Sequence, residues 1–330
     1  MRKFVRRLFL LAILGAVLAA GWLYHFSTSL LTLPRAPYDF TVKTGASLKG
    51  VAQQLADDGL LREPQTLWIL GRLLGRSTTI QAGTYRLDKP VTPVELLDKL
   101  ARGDVLLVAI LFVEGTTMKQ WLAELARSPQ VRQTLAGKSE AELRAIFALE
   151  QPLEGWFFPD TYRFTPGSSD VDVLKRAHAV MKRRLAEAWA ARDPGLPLKT
   201  PYEALILASI VEKETGQASE RPAIASVFVN RLRLGMRLQT DPTVIYGMGE
   251  SFDGNIRKRD LTTDTPWNTY TRDGLPPTPI AMPGMGSLRA VMKPADTKFL
   301  YFVGKGDGTH EFSRSLEEHN RAVAKYQLGK

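Results

Sequence analysis

The sequence predicts an α+β protein held to a membrane by one N-terminal helix, with a small α/β module followed by a larger mixed α+β domain. Three observations predict it. Leu8–Tyr24 is an uncharged apolar run directly behind Arg2, Lys3, Arg6 and Arg7. Beyond it, short strand-like runs alternate with helix-period stretches that carry their own start and stop residues. The chain has 330 residues and is 44% hydrophobic, which suffices for two domains and a sizeable core.

Composition excludes several chemistries. With no cysteine there are no disulfides, cysteine nucleophiles or thiolate metal sites. The histidines, at 25, 178, 310 and 319, form no HExxH motif or close pair, so neither a zinc site nor any other cofactor is expected. A formal charge of +10 admits nucleic acid, an anionic membrane or a cell-wall polymer as partner. Its basic residues are scattered: Lys175, Arg176, Lys182, Arg183 and Arg184 on one predicted helix, then Arg231, Arg233 and Arg237. Most of them read as a solvated face. No helix-turn-helix, RRM or zinc-finger pattern accompanies them, and nucleic acid is not expected.

Taken in order, residues 1–7 form a basic cytoplasmic segment and 8–26 a transmembrane helix, close to the roughly 20 residues a bilayer core requires. The next basic residue is Arg35, so the positive-inside rule puts all that follows on the far side. A cleaved signal peptide ending near Ala19 or Ala20 is the alternative, but the apolar run exceeds the usual h-region. Residues 27–37 are a linker with Pro34 and Pro37. The module spans 38–105. It reads as a strand, a helix capped by Ser47 and ended at Asp58-Gly59, a second helix over Pro64–Leu74, a strand at Ala82–Leu87, and a third helix from Pro93 stopped by Gly103.

The larger domain, 106–330, opens with a continuous apolar strand, Leu106–Val113, and an amphipathic helix containing Trp121 and Leu125. Ser139 and Glu142 form a capping-box pattern. Glu154–Phe164 is rich in aromatics, and one or two of its rings are expected to be exposed in a cleft, where rings stack on sugar faces. A long basic-faced helix covers Asp170–Ala190, and a Pro/Gly linker leads to a helix starting near Pro201 and stopped by Gly216. Ser219 begins another helix, which Gly235 ends. Asp260–Pro279 is a long polar loop of the kind that carries function. Phe299–Val303 and His310–Ser313 flank a glycine-rich hairpin turn without phosphate-loop spacing. Ser315–Leu328 is a terminal amphipathic helix.

Within this domain Leu205–Gly249 carries the most chemistry. Leu207, Ile210, Val211 and Glu214 share one helix face at i, i+3, i+4, i+7. Glu212 lies about 200° around the helix from Glu214 and projects away from that stripe. A carboxyl that ends an apolar face is partly desolvated and stays protonated to higher pH, as a general acid requires. Gln239, Thr240 and Asp241 precede Pro242 and read equally as a substrate-lining loop or as a helix N-cap at Asp241.

The blocks ASIVEKE at 208–214, ASVFVNRL at 225–232, LQTDPTVIYGMG at 238–249, EGWFFPDTYRF at 154–164 and NTY with GLPPTPI at 268–280 resemble the YceG/MltG-like family of endolytic murein transglycosylases. The likeness covers most of the chain beyond residue 38. It departs at Thr278, where Gly is expected after the paired prolines, and this places the local turn in question. The resemblance implies a lytic transglycosylase, a lyase that cleaves the bond between N-acetylmuramic acid (MurNAc) and N-acetylglucosamine within nascent peptidoglycan strands. Such cleavage forms 1,6-anhydro ends and terminates strand elongation. It implies Glu214 as the essential acid. It favours the cleft for residues 239–241, and gives Glu212, Gln239, Thr240, Asp241, Tyr246, Asn268 and Tyr270 as substrate contacts. It further implies a LysM-like module at 38–105, a periplasmic catalytic domain on the inner membrane, glycan strands as partner, and peptidoglycan synthases (penicillin-binding proteins) as a candidate partner class. Two alternatives stand beside it: a muramidase-type hydrolase with Asp241 or Glu220 as second carboxylate, and a non-catalytic membrane-anchored peptidoglycan-binding scaffold.

Overall fold

The N-terminal apolar run forms one helix, α1 (Arg2–Thr28), in a computed structural model that describes residues 2–329. Met1 and Lys330, the ends of the expected cytoplasmic segment and catalytic domain, lie outside the described residues. From Phe4 to Thr28 the helix has mean hydropathy 2.0, long and apolar enough to cross a membrane. It runs slightly into the expected linker, and Leu23 and Phe26 rest against the core of the module that follows.

The chain divides into two units. The first runs to Val108 and takes in Phe164–Pro166; the second comprises Ala109–Arg163 and the chain from Gly167 onward. In the first, β1 (Tyr38–Val42), α2 (Leu48–Asp57), α3 (Pro64–Leu73), β2 (Gly83–Leu87) and α4 (Pro93–Arg102) follow one another. β1 and β2 pair antiparallel with Phe40 opposite Tyr85, their rings stacked at 5.7 and 5.5 Å in the order Tyr38, Phe40, Tyr85. Local signals set the helix limits: Ser47 accepts from Gly50 N, and Thr92 and Glu95 close a capping box ended by left-handed Gly103. Val51, Ala52, Leu55, Leu96, Leu97 and Leu100, all at most 1% exposed, close the core beneath the strands.

The second unit is mostly helical. β3 (Val108–Leu111), α5 (Met118–Arg127), α6 (Glu140–Phe147) and β4 (Thr161–Phe164) are followed by α7 (Asp170–Ala190), α8 (Pro201–Glu214), α9 (Arg221–Arg233), α10 (Asp241–Met248), α11 (Lys258–Thr262), α12 (Met285–Met292), β5 (Tyr301–Gly304), β6 (His310–Ser313) and α13 (Leu316–Tyr326). β3 pairs with β4, and β5 with β6. The core is built around α8, against which α7, α9, α10 and α12 pack.

Several expectations are corrected. The apolar run 106–113 contributes only a short strand, and only Ile110 and Phe112 are buried; Leu107, Leu111 and Val113 stay exposed because the two-stranded sheet covers one face. The aromatics of 154–164 are core, not cleft: Phe157, Phe158, Tyr162 and Phe164 are buried, and Trp156 stacks face to face on Tyr202 at 5.7 Å. Gly216 does not stop α8; the chain leaves the helix at Thr215, which is already extended. The next helix begins at Arg221 rather than Ser219. Thr278 strains nothing. Its hydroxyl accepts from Trp267 Nε1 at 2.9 Å and donates to Pro279 O at 2.8 Å, so the residue pins the loop that a glycine would leave free.

Candidate active site

α8 carries the candidate acid. Thr200 caps its first turn and Pro201 opens it. From Ala204 to Val211 every residue is buried, so the helix is enclosed all round rather than along one stripe. This changes the reading of its two glutamates. Glu212 does not reach solvent: its side chain is 5% exposed, pairs with Arg221 at 3.3 Å and accepts from Gly284 N at 2.8 Å. Arg221 also lies 3.8 Å from Glu114. Glu212 is thus a buried link between α8, α9 and the start of α12.

Glu214, at the C-terminal end of α8, forms part of the wall of a polar cavity of about 440 Å³. Gln239, Thr240, Asp241, Tyr270 and Arg231 line the same cavity, as do Tyr301, His310 and His319. Desolvation pushes the Glu214 carboxyl up from 4.5 to about 7, and the neighbouring Asp241 charge adds to the rise. A hydrogen bond from the Thr240 hydroxyl, with the charges of His310 and Arg231, opposes it. The negative end of the α8 dipole also disfavours the anion. The result is a carboxylic acid that holds its proton near neutrality and faces an open space, the property sought in a general acid.

The other carboxylates nearby are engaged. Asp241 Oδ1 accepts from the Tyr270 phenol at 2.6 Å, and burial together with this bond keeps that phenol protonated well above its ordinary range. Glu220 accepts from His310 N at 3.0 Å and meets His310 Nδ1 at 2.7 Å. Desolvation works to raise the Glu220 carboxyl, but the His310 bonds and charge outweigh it and hold it below its usual value.

Of the expected substrate contacts, the structure brings Gln239, Thr240, Asp241 and Tyr270 to the cavity and leaves Glu212, Tyr246 and Asn268 off its wall. Tyr246 donates to buried Glu154 at 3.2 Å and sets its ring against Trp267. Asn268 is fully buried, donates to the carbonyls of Asp260, Leu261 and Thr263, and accepts from Tyr270 N. It fixes the loop that delivers Tyr270. Residues 239–241 line the cavity and also open α10, with Thr240 rather than Asp241 as the N-cap.

Arg231 corrects the solvated-face reading. It is 7% exposed, donates through Nε to Leu300 O at 2.7 Å and through Nη1 to Leu238 O at 2.6 Å, and lies over the Tyr301 ring. Its spacing one turn beyond buried Val227 and Phe228 was the available signal. His319, stacked on Tyr301 at 5.2 Å, and His310 come from the C-terminal hairpin and helix, and no local pattern marks them. Glu154 is a second perturbed carboxyl: burial raises it to about 7, against hydrogen bonds from Met118 N and Tyr246. A larger cavity of about 530 Å³ between α7, α9 and α12 is lined mainly by Arg, Ala and Met; its carboxylate, Glu187, is paired with Arg184. Size does not mark the acid–base site. Among the described residues, no cluster of His, Asp and Glu could hold a metal ion.

The sequence profile of the YceG-like family matches residues 40–325. The chain belongs to the YceG-like family. A curated relative from Bacillus subtilis, named endolytic murein transglycosylase, is 30% identical over 87% of this chain and 84% of its own length. A protein of the same name from Streptococcus pneumoniae is 26% identical over 76% of this chain, which spans 51% of that longer protein. The crystal structure of a YceG-like protein from Listeria monocytogenes superposes with a TM-score of 0.57 at 26% identity, covering 86% of this chain and 98% of that one. The YceG-like match includes α8, the 238–249 segment and the long loop, and with them every residue lining the cavity around Glu214 except Gln327.

Proposed function

We propose that this protein is a membrane-anchored lytic transglycosylase that cuts peptidoglycan glycan strands internally, with Glu214 as its single acid–base group. The observation that carries the reading is Glu214 itself: a carboxyl raised to about 7 on the wall of a polar cavity, in a chain whose curated relatives are endolytic murein transglycosylases. Protonated Glu214 gives its proton to the glycosidic oxygen as the bond from C1 of MurNAc breaks. The resulting carboxylate takes the proton of that sugar's own C6 hydroxyl as O6 bonds to C1. A 1,6-anhydro ring closes, Glu214 is protonated again, no water is consumed and elongation of that strand ends.

Retaining and inverting glycosidases ordinarily need a second carboxylate as nucleophile or base. Asp241 and Glu220, the candidates for that part, are held by Tyr270 and His310, which favours the one-carboxylate route over a muramidase-type hydrolase. A scaffold has no use for a destabilising, desolvated acid facing a cavity. Gln239, Asp241 and Tyr270 on the same wall are proposed as glycan contacts.

The β-α-α-β order of residues 38–87, with its antiparallel strand pair, supports a LysM-like, glycan-binding module at 38–105 ahead of a catalytic domain at 106–330. The basic residues before the apolar stretch of α1 support a cytoplasmic N-terminus and a periplasmic catalytic domain on the inner membrane. Peptidoglycan synthases are proposed as partners on the ground that the substrate is a nascent strand. The direct test is Glu214→Gln. General acid–base assistance is worth about 10²–10⁴-fold, so the folded variant should release glycan fragments slower by that factor. A variant that cuts purified strands as fast as the parent would overturn the assignment.

A further inference from the structure

The Thr240 hydroxyl behaves unlike every other helix-capping hydroxyl among the described residues. Each other Ser or Thr N-cap among the described residues, from Ser47 to Ser315, accepts a backbone N–H of its own first turn, which is what N-caps ordinarily do. Thr240 opens α10 without a side-chain cap. Its hydroxyl instead donates to Glu214 Oε1, and among the described residues it is the one side chain hydrogen-bonded to that carboxyl.

The backbone that aims this hydroxyl is fixed from several sides. Gln239, the preceding residue, has φ 46°, a left-handed conformation that non-glycine residues adopt only where the surroundings impose it. Its N–H donates to Thr269 O at 3.1 Å. Thr240 N donates to Thr269 Oγ1 at 3.1 Å. The Thr243 hydroxyl donates to Thr240 O at 2.7 Å, so in the 2.8 Å contact between the Thr243 and Thr269 hydroxyls it is Thr269 that donates. Thr240, Thr243 and Thr269 are each at most 3% exposed. This buried threonine clasp, together with the strained residue before it, holds one hydroxyl against the acid at the expense of a helix cap.

We propose that Thr240 is the positioning residue of the acid: by donating to Oε1 of Glu214 it leaves Oε2 as the oxygen that carries and delivers the proton. The inference rests on the reading of Glu214 as the acid–base group. A neutral carboxyl has one hydroxyl and one carbonyl-type oxygen, and a hydroxyl donor bonds the latter. The same bond strengthens as the carboxyl becomes an anion, so it stabilises charge that develops in the transition state more than it stabilises the ground state. Thr240 therefore acts on turnover rather than on substrate affinity.

The test compares Thr240→Val, which is nearly isosteric and removes the donor, with Thr240→Ser, which keeps it. The full-length protein is assayed on purified glycan strands with Glu214→Gln alongside. A hydrogen bond to a charged group of this kind corresponds to about 10- to 100-fold in rate. Thr240→Val should lose that much in kcat with little change in KM, and its alkaline limb should move to higher pH, because a bond favouring the anion is gone. Thr240→Ser should recover most of the kcat and return the limb. If Val fails to fold, Thr240→Ala removes the same hydroxyl and takes its place. The proposal is overturned if kcat and the limb stay at parental values without the hydroxyl, or if Ser is as impaired as Val. Either result with Glu214→Gln inactive leaves the acid–base reading standing, whereas an active Glu214→Gln removes that reading.

Discussion

Replacing Glu214 by Gln should make the protein more stable at alkaline pH while it disables the proposed chemistry. The carboxyl is raised from 4.5 to about 7 in the folded state, chiefly by desolvation. Between those values the folded protein holds a proton that the unfolded chain has released, so stability is fullest below pH 4.5 and falls as pH rises through about 7. At about 1.4 kcal/mol per pH unit, the ionised acid costs the folded state up to about 3 kcal/mol at pH 8. Gln keeps the shape, can still accept from Thr240 and never ionises. Urea denaturation of the full chain in detergent, at pH 4 and pH 8, reads the difference between parent and variant. Glu154 titrates in the same range, but it is present in both proteins and cancels. The variant should gain about 3 kcal/mol relative to the parent between the two pH values. A difference that does not change with pH, or one that favours the parent at pH 8, would refute the desolvation argument.

Three further outcomes are expected. kcat/KM should fall above about pH 7 as Glu214 loses its proton, since that ratio reports the free enzyme; a profile flat to pH 9 would exclude this carboxyl as the acid. Arg231→Met should leave the carbonyls of Leu238 and Leu300 without their donor and lower stability by roughly 1–3 kcal/mol per buried orphan group, read as a reduced urea midpoint. Because α1 is long and apolar enough to span a bilayer, the protein should stay with membranes after a high-salt wash and a periplasm-active reporter at its C-terminus should function; a soluble form starting near residue 20 would mark a cleaved signal instead.

Features fixed within a few residues were legible in the sequence. Ser47, Pro93, Ser139 and Pro201 mark helix starts through bonds or dihedrals confined to one turn, and these positions followed from residue type and spacing. Glu214 was legible as the end of an apolar helix face. What depends on tertiary surroundings was not. A 3.6-residue stripe cannot reveal that α8 is covered on every side, so Glu212 reads as projecting away from the stripe and as a substrate contact when Arg221 and Gly284 N hold it buried. The aromatics of 154–164 serve the core because residues 156–158 pack against α7, with Phe158 N bonded to Ala177 O and His178 to Trp156 O, which no local pattern states. Residues 239–241 read as cleft loop or as a cap at Asp241, and only the distant Thr269 and Glu214 decide that Thr240 opens α10 while its hydroxyl leaves the cap. The cavity's cationic and aromatic side, Arg231, Tyr301, His310 and His319, is assembled from positions far apart in the chain.

One carboxyl that closes an anhydro ring without consuming water leaves its signature in the new chain ends. Purified glycan strands digested in ¹⁸O-labelled water and analysed by mass spectrometry should yield 1,6-anhydro-muramyl ends, lighter by one water than hydrolytic ends and free of label. Reducing ends that carry ¹⁸O would contradict the account and assign the protein a hydrolytic mechanism with water as nucleophile.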